Sequence, residues 1–484
     1  MGVIMKIKIL VVLLAVSFLL QLSCGGGSGS VTTLNPIGNT NLNMASIAIY
    51  SDTDNIYITD TMQIIAVATY TDASTSVVTT QVNWISSIDT VVIIDTTTGL
   101  ITSVDSGISS ITANLNGIFS DSIVVNSKFI TWQKMYGSSG EERYPTLQLT
   151  SDGGYIVIGN LSYTITDYSI IKLNSNGDSV WYKNLNQQRT TNYSPDIIQA
   201  SDGCYIVACS NSNNYSIIKL DSNGDSIWNK MYGGTNNDFP TSIKQTSDGG
   251  YIVVGTSNSR DIQGVTNSGG DDLYIIKLDL NGDIVWHKMY VFNNNHRYVK
   301  VIQQVSDGGY IVGGASNIIK LDSNGDSVWL KIYDGFLGIS SLKQTTDGGY
   351  IVAGNSATGG NNYSIIKLDS NGDSVWLKRY GTRGPSYWVC IEQTVDGGYI
   401  VGGSEDTDQL TFNYYFLKLD SNGNSSWENR IGESNSFEEF GIIKQTSDGG
   451  YIVVGSSNST SINGLTNSGM FDYHILKLDS GGNL

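Results

Sequence analysis

One phrase, Asp-Gly-Gly-Tyr-Ile-Val, recurs through most of this chain and narrows what it can fold into. It begins at Asp152, Asp248, Asp307, Asp347, Asp396 and Asp448, and a seventh copy at Asp202 carries Cys204 in place of the second glycine. After each copy comes Ile-Lys-Leu-Asp or a near variant, as at 218–221. A turn such as Ser222-Asn223-Gly224-Asp225 follows, and then a tryptophan run such as Ser226-Ile227-Trp228. Asn-Gly between two apolar runs is the strongest short hairpin signal. Asp-Gly-Gly supplies residues that tolerate positive φ. Each unit therefore reads as four short strands, here called a to d: a precedes the Asp-Gly-Gly turn, b is Gly-Tyr-Ile-Val, c is Ile-Ile-Lys-Leu, and d carries the tryptophan. The composition agrees, with 55 glycines, 28 tyrosines and 5 prolines, a profile of short strands and tight turns.

Units of four strands and about 50 residues match the blades of a β-propeller. The ends of the region 129–484 support this. It opens with a lone tryptophan strand, 129–136, containing Trp132. Its last unit stops at Leu476-Lys477-Leu478-Asp479, before any tryptophan strand. Trp132, Trp181, Trp228, Trp286, Trp329, Trp376 and Trp427 then supply one d strand for each of seven blades. The expectation is a seven-bladed ring closed by pairing 129–136 with the C-terminal blade, which removes exposed edges. In the series Asp221, Gly224, Trp228 the repeats resemble the PQQ-like and WD40-like propellers of exported bacterial proteins. That resemblance covers 129–484, and it implies a fold rather than a function.

Residues 45–128 alternate apolar and polar, as in Ile64-Ile65-Ala66-Val67-Ala68-Thr69-Tyr70, with turns at Asp72, Gly99 and Gly117. This pattern predicts several short strands in a sandwich. Gln63 to Asp72, then Val82-Asn83-Trp84, then Thr98-Gly99-Leu100, then Ile111-Thr112-Ala113 resemble the bacterial Ig-like group 2 (BIG2) family. The resemblance implies an Ig-like β-sandwich with Trp84 in its core, of a kind used as a spacer in surface proteins, adhesins among them. The expected fold class is all-β: an N-terminal Ig-like β-sandwich at 45–128 followed by a seven-bladed β-propeller at 129–484.

The first residues read as a targeting segment. Lys6 and Lys8 precede the apolar run 9–20, which is shorter than the ~20 residues that span a bilayer. Leu20-Gln21-Leu22-Ser23-Cys24 resembles a bacterial lipoprotein signal, which implies a signal peptide at 1–23 and lipidation of Cys24. The Gly/Ser-rich stretch at 24–44 reads as a flexible tether. The chain is then expected in the cell envelope, held to a membrane by its lipid, at the outer membrane or cell surface.

The charge balance is −17, from 27 basic and 44 acidic residues, which argues against nucleic acid as a partner. Cys204 and Cys209 lie on one strand about 16 Å apart, too far to bridge. Scattered cysteines and the three histidines, His287, His296 and His474, form neither a metal set nor a Ser-His-Asp arrangement. The turn Asp-Ser-Asn-Gly-Asp at Asp221, Asp322 and Asp369 is spaced like the start of a calcium loop. It lacks the closing glutamate, so local turn hydrogen bonds are expected instead. The propeller resemblance raises a quinoprotein dehydrogenase, but that would usually bring eight blades and adjacent cysteines. No catalytic residue, metal or cofactor is expected.

Three residues before each Asp-Gly-Gly stands a glutamine: Gln199, Gln245, Gln304, Gln344, Gln393 and Gln445, with Leu149 in the first unit. These are candidate ligand-binding residues around the axis. The alternative is that they satisfy backbone groups between blades. The b–c connections 257–271 and 457–472 are long and share Gly-x-Thr-Asn-Ser-Gly. Glu405-Asp406 and Glu438-Glu439 read as solvated loops. The function expected is a non-catalytic envelope lipoprotein that presents a propeller to an unidentified protein or glycan. The alternatives are an envelope assembly scaffold, or an extracellular propeller enzyme with a loop-borne site.

Overall fold

The computed structural model describes residues 43–484 except 162–166, 188–193, 292–298, 357–362, 382–388, 407–410, 434–435, 460–461 and 463. The signal segment, Cys24, nearly all of the tether and His296 lie outside the described residues. All regular structure among the described residues is β-strand.

Residues 44–128 form three small sheets. Met44–Tyr50, Ile65–Tyr70 and Thr75–Val77 make one, and Thr61–Gln63, Leu100–Ser103 and Val92–Ile94 make another. Gly107–Leu115 centres the third, pairing with Ile118–Phe119, Ile123–Lys128 and Asn83–Ser86. Alternate side chains point inward, so Ala66, Ala68, Ile101, Ile111 and Val125 share one core with Trp84. The Trp84 indole N–H donates to the Thr79 carbonyl at 3.0 Å, so its buried donor is satisfied. Gly99 sits against that ring at φ +70°, and a Cβ there would fall 2.9 Å from the indole. This is why the turn reads Thr-Gly-Leu.

The remainder is a β-propeller of seven four-stranded sheets, each an open a-b-c-d ladder. Sheet 1 runs Glu142–Leu149, Tyr155–Leu161, Asp167–Leu173, Ser179–Asn184. Sheets 2 to 6 follow in the same order. Sheet 7 takes strands a to c from Glu438–Gln445, Tyr451–Ser457 and Asp472–Leu478, and strand d from Trp132–Tyr136. The register of that last pairing is antiparallel, from Trp132 opposite Lys477 to Tyr136 opposite Tyr473.

Burial explains the repeat phrase. Strand b, such as Tyr251–Ser257, is buried along its whole length, as is strand c, whereas strand d alternates between exposed and half-buried residues. A strand covered on both faces must be apolar without alternation, hence Tyr-Ile-Val-Val. Its odd and even residues serve different cores. Tyr251 and Val253 pack with Ile206 and Ala208 of sheet 2, and Ile252 and Val254 pack with Ile302 and Val312 of sheet 4. A core of this kind fills each gap between successive sheets. One also joins sheet 7 to sheet 1, where Ile452 and Val454 meet Leu147, Val157 and Ile171.

The c–d turn is locked across sheets. Trp132 lies on Gly177, Trp181 on Gly224, Trp228 on Gly282, and the series continues to Trp427 on Gly482. Each of these glycines has a φ between +75° and +81°. The positive φ and the indole above each exclude a side chain there. The same tryptophan meets the Asp-Gly-Gly-Tyr ring of the next sheet edge-on, as Trp286 does with Tyr310 at 5.8 Å. The lysine of Ile-Lys-Leu is buried, and its ammonium reaches the aspartate of its own a–b turn. Lys172–Asp152 and Lys277–Asp248 are both 2.8 Å, and Lys477–Asp448 is 2.7 Å.

Candidate functional site: the axial cavity

The a strands of successive sheets lie side by side around the axis. Between them is a cavity of about 160 Å³ to which every sheet contributes: Thr146, Asp196, Lys244, Val301, Lys343, Cys390 and Ile442, in sheet order. Strand a is the edge strand of each sheet that meets its counterparts in the neighbouring sheets, and its residues line the cavity.

The charged groups here form one network. The Lys244 ammonium donates to Asp196 Oδ2 at 2.8 Å, to Ser242 Oγ at 3.2 Å and to the Ile243 carbonyl at 2.7 Å. Asp196 Oδ2 also accepts from the Ile243 N–H at 3.0 Å. Across the cavity Glu392 lies 3.3 Å from the Lys343 ammonium and 3.2 Å from that of Lys444. Burial lowers Lys244, with Asp196 opposing the shift and the Lys343 and Lys444 charges adding to it. Burial works against Glu392 and Lys343 as well, but their mutual attraction outweighs it. It holds the carboxyl below and the ammonium above their ordinary ranges. Three ammonium groups face two carboxylates, so this part of an acidic protein carries an excess of one positive charge.

None of the six glutamines lines this cavity. Each amide oxygen instead accepts the backbone N–H that opens the a–b turn of the preceding sheet. Gln199 takes Ser151 and Gln304 takes Ser247 at 2.7 Å. Gln245 with Ser201, Gln344 with Ser306, Gln393 with Thr346 and Gln445 with Val395 are all 2.9 Å. Each amide nitrogen turns back to its own Gly-Gly turn, as Gln245 does to the Gly249 carbonyl at 3.2 Å. The column is a clasp between sheets. Lys244, Lys343, Glu392 and Lys444 each stand one residue earlier. Sequence reasoning missed them because their charge differs from unit to unit. That variation was itself the available signal.

The other candidates also find structural roles. In the Asp-Ser-Asn-Gly-Asp turn, Asp221 Oδ1 accepts the N–H of Asn223 and of Asp225 at 2.9 Å, so the carboxylate is engaged by its own loop. Cys204, Cys209 and Cys390 are free thiols, and burial pushes Cys209 up to about 12. His287 Nδ1 meets the Tyr274 hydroxyl at 2.9 Å, and fully buried His474 meets Gln133 at 3.2 Å. The acidic pairs are not solvated loops. Glu438 opens strand a of sheet 7 and is buried, Glu439 pairs with Arg143 at 2.7 Å, and Glu405 pairs with Arg430 at 2.5 Å. The two long connections share an internal frame. Asn267 and Asn467 bond the Ser257 and Ser457 carbonyls, and the N–H groups of Ser268 and Ser468 each donate to an Asp272 or Asp472 oxygen at 2.7 Å. Among the described residues no three His, Cys, Asp or Glu side chains converge as a metal set.

No family model and no curated protein matches the chain. Among solved structures, a protein of unknown function from Bacteroides caccae aligns over 62% of this chain and 94% of its own, at 13% identity and a TM-score of 0.40. The WD40 domain of Neurospora crassa Pan2 aligns over 70% and 89%, at 12% identity and a TM-score of 0.45. The WD40 β-propeller domain of Doa1 aligns over 72% and 97%, at 12% identity and a TM-score of 0.41.

Proposed function

We propose that this chain is a non-catalytic binding protein of the bacterial cell envelope. A lipid on Cys24, a tether and an Ig-like spacer would carry a closed seven-bladed propeller whose axis receives a protein or glycan. The observation that carries the reading is the axial network. Lys244, Lys343 and Lys444 are held in ion pairs around Asp196 and Glu392. A rigid rim with one surplus positive charge suits an acidic group presented by the ligand. Ring closure is supported by the pairing of 132–136 with sheet 7 and by the core between sheets 7 and 1. The display reading is supported by the run from Lys6 to Cys24.

Protease shaving of intact cells tests display. Release of propeller peptides is expected, and resistance until lysis would contradict it. Glycan and matrix-protein arrays then test binding. Ligands bearing a carboxylate or sulfate are expected, and Lys343→Met should weaken them by about tenfold. Full affinity in that variant would move the site off the axis.

A further inference from the structure

Three corners between successive sheets repeat one arrangement that the axial site does not use. Strand c of one sheet carries Asn214 or Asp472 as its first residue, or Asn413 as its second, and strand a of the next begins with Asp238, Glu438 or Glu142. Backbone contacts hold each pair of strand starts together. The Asp238 N–H donates to Asn213 O and the Glu142 N–H to Phe471 O, both at 2.7 Å, and the Phe412 N–H donates to Ser436 O at 3.1 Å. The glycine that follows strand d enters the same point. A Cβ on Gly233 would strike both Asn214 Oδ1 and Asp238 Oδ2, one on Gly432 would strike Asn413 Oδ1, and one on Gly137 would strike Asp472 Oδ1.

The acids at these corners are oriented and incomplete. Asp238 and Glu438 are 0% exposed, Asp472 1% and Glu142 2%. One oxygen of each is fixed: Asp238 Oδ2 by the Gly234 N–H at 2.8 Å, Glu142 Oε1 by Ser138 Oγ at 2.7 Å, Glu438 Oε1 by Ser436 Oγ at 3.0 Å, and Asp472 Oδ2 by Ser468. The second oxygen has no partner in any of them, and neither has Asn413 Oδ1. An orphaned buried carboxylate oxygen is costly, yet the motif recurs. Burial raises all three strand-a carboxyls, Glu438 to about 7. The fold does not itself require an acid there. At the corner between sheets 4 and 5, Asn317 again has an unpartnered Oδ1, but Phe336 opens strand a.

We propose that these corners bind calcium, one ion between strand c of one sheet and strand a of the next. The ligands would be carboxylate, side-chain amide and backbone oxygens. The donors are all hard oxygens, which excludes a thiolate or imidazole metal site. The corner between sheets 7 and 1 is the strongest, because Glu142 and Asp472 supply two carboxylates that sense each other's charge. It is also the gap where Leu149 replaces the glutamine clasp, so the ion would fasten the one seam that lacks it. Among the described residues no three acids converge at one point of a corner, which places the affinity in the range of extracellular modules, about 0.1–1 mM.

The test is calorimetric titration of the chelator-stripped full chain with calcium, alongside thermal unfolding in EDTA and in about 5 mM calcium. Saturable binding and a Tm higher by several degrees are expected, with a smaller response to magnesium. Glu142→Gln and Asp472→Asn should each weaken the tightest site at least tenfold, and Asp322→Asn, in a c–d turn, should not. Terbium luminescence, displaced by calcium, gives the same readout on the unaltered chain should either variant fold poorly. No heat, no displaceable terbium and equal Tm values would overturn the proposal. So would undiminished binding in both corner variants, or loss of binding in Asp322→Asn.

Discussion

The aspartate of each Asp-Gly-Gly turn shows how one residue can hold two strands. In Asp152, Asp248, Asp347 and Asp396, burial works to raise the carboxyl. The lysine ammonium of strand c, a threonine hydroxyl and a glycine N–H outweigh it and hold the group at about 2, below the usual 3.8. A depressed carboxyl stabilises the fold above its unfolded value and loses that contribution as pH falls through the folded one. The contribution of these aspartates should therefore be constant from neutrality to about pH 5, and its loss should lower the urea midpoint steeply between about pH 4 and 2. Lys277→Met should flatten part of that fall, and an unchanged slope would contradict the account. Glycine offers a second test at this scale. Gly308 and Gly325 share a blade and have φ of +83° and +80°, but a Cβ meets nothing within 4 Å at Gly308 and meets Trp286 at 2.7 Å at Gly325. Alanine at Gly308 should cost about 1 kcal/mol from backbone strain. At Gly325 it should cost about 2 kcal/mol more from overpacking. Equal losses in urea unfolding would mean that the indole contact does not matter.

Among the elements, strand a decides how the sheets are spaced around the axis. Its glutamine joins each sheet to the one before, except where Leu149 leaves sheet 7 unclasped. Gln304→Leu should lower stability by about 1 kcal/mol, and Leu149→Gln should raise it by a similar amount by supplying an acceptor for the turn at Ser447. A destabilised Leu149→Gln would mean that the seam has no room for the clasp. The glutamine column was legible in the sequence because repetition displays it. Repetition could not say whether a side chain faces the axis or the neighbouring sheet, since both give the same spacing. The charged residues at 244, 343, 392 and 444 were illegible for the opposite reason. They differ from unit to unit, so a search for shared residues passes over them, and only the meeting of the seven a strands brings them together. Asp196 and the corner acids likewise depend on contacts between neighbouring sheets.

For the whole molecule, the tandem units account for most of the architecture. Each b strand shares its side chains between two cores, so no sheet is complete without both neighbours. A linear stack would leave the apolar faces of the first and last sheets bare. Here Trp132 lies against Gly177 and Tyr155 of sheet 1 while its strand pairs with sheet 7. Arg143 reaches Glu439 across the same gap. Those opposite ends of the repeat region were legible from the lone tryptophan strand and the unfinished last unit. Hydrogen–deuterium exchange of residues 132–136 in the intact chain tests the proposed closure of the ring most directly. The account predicts protection matching that of 473–478 and 155–161. Exchange of 132–136 within seconds, while those two strands stay protected, would contradict it.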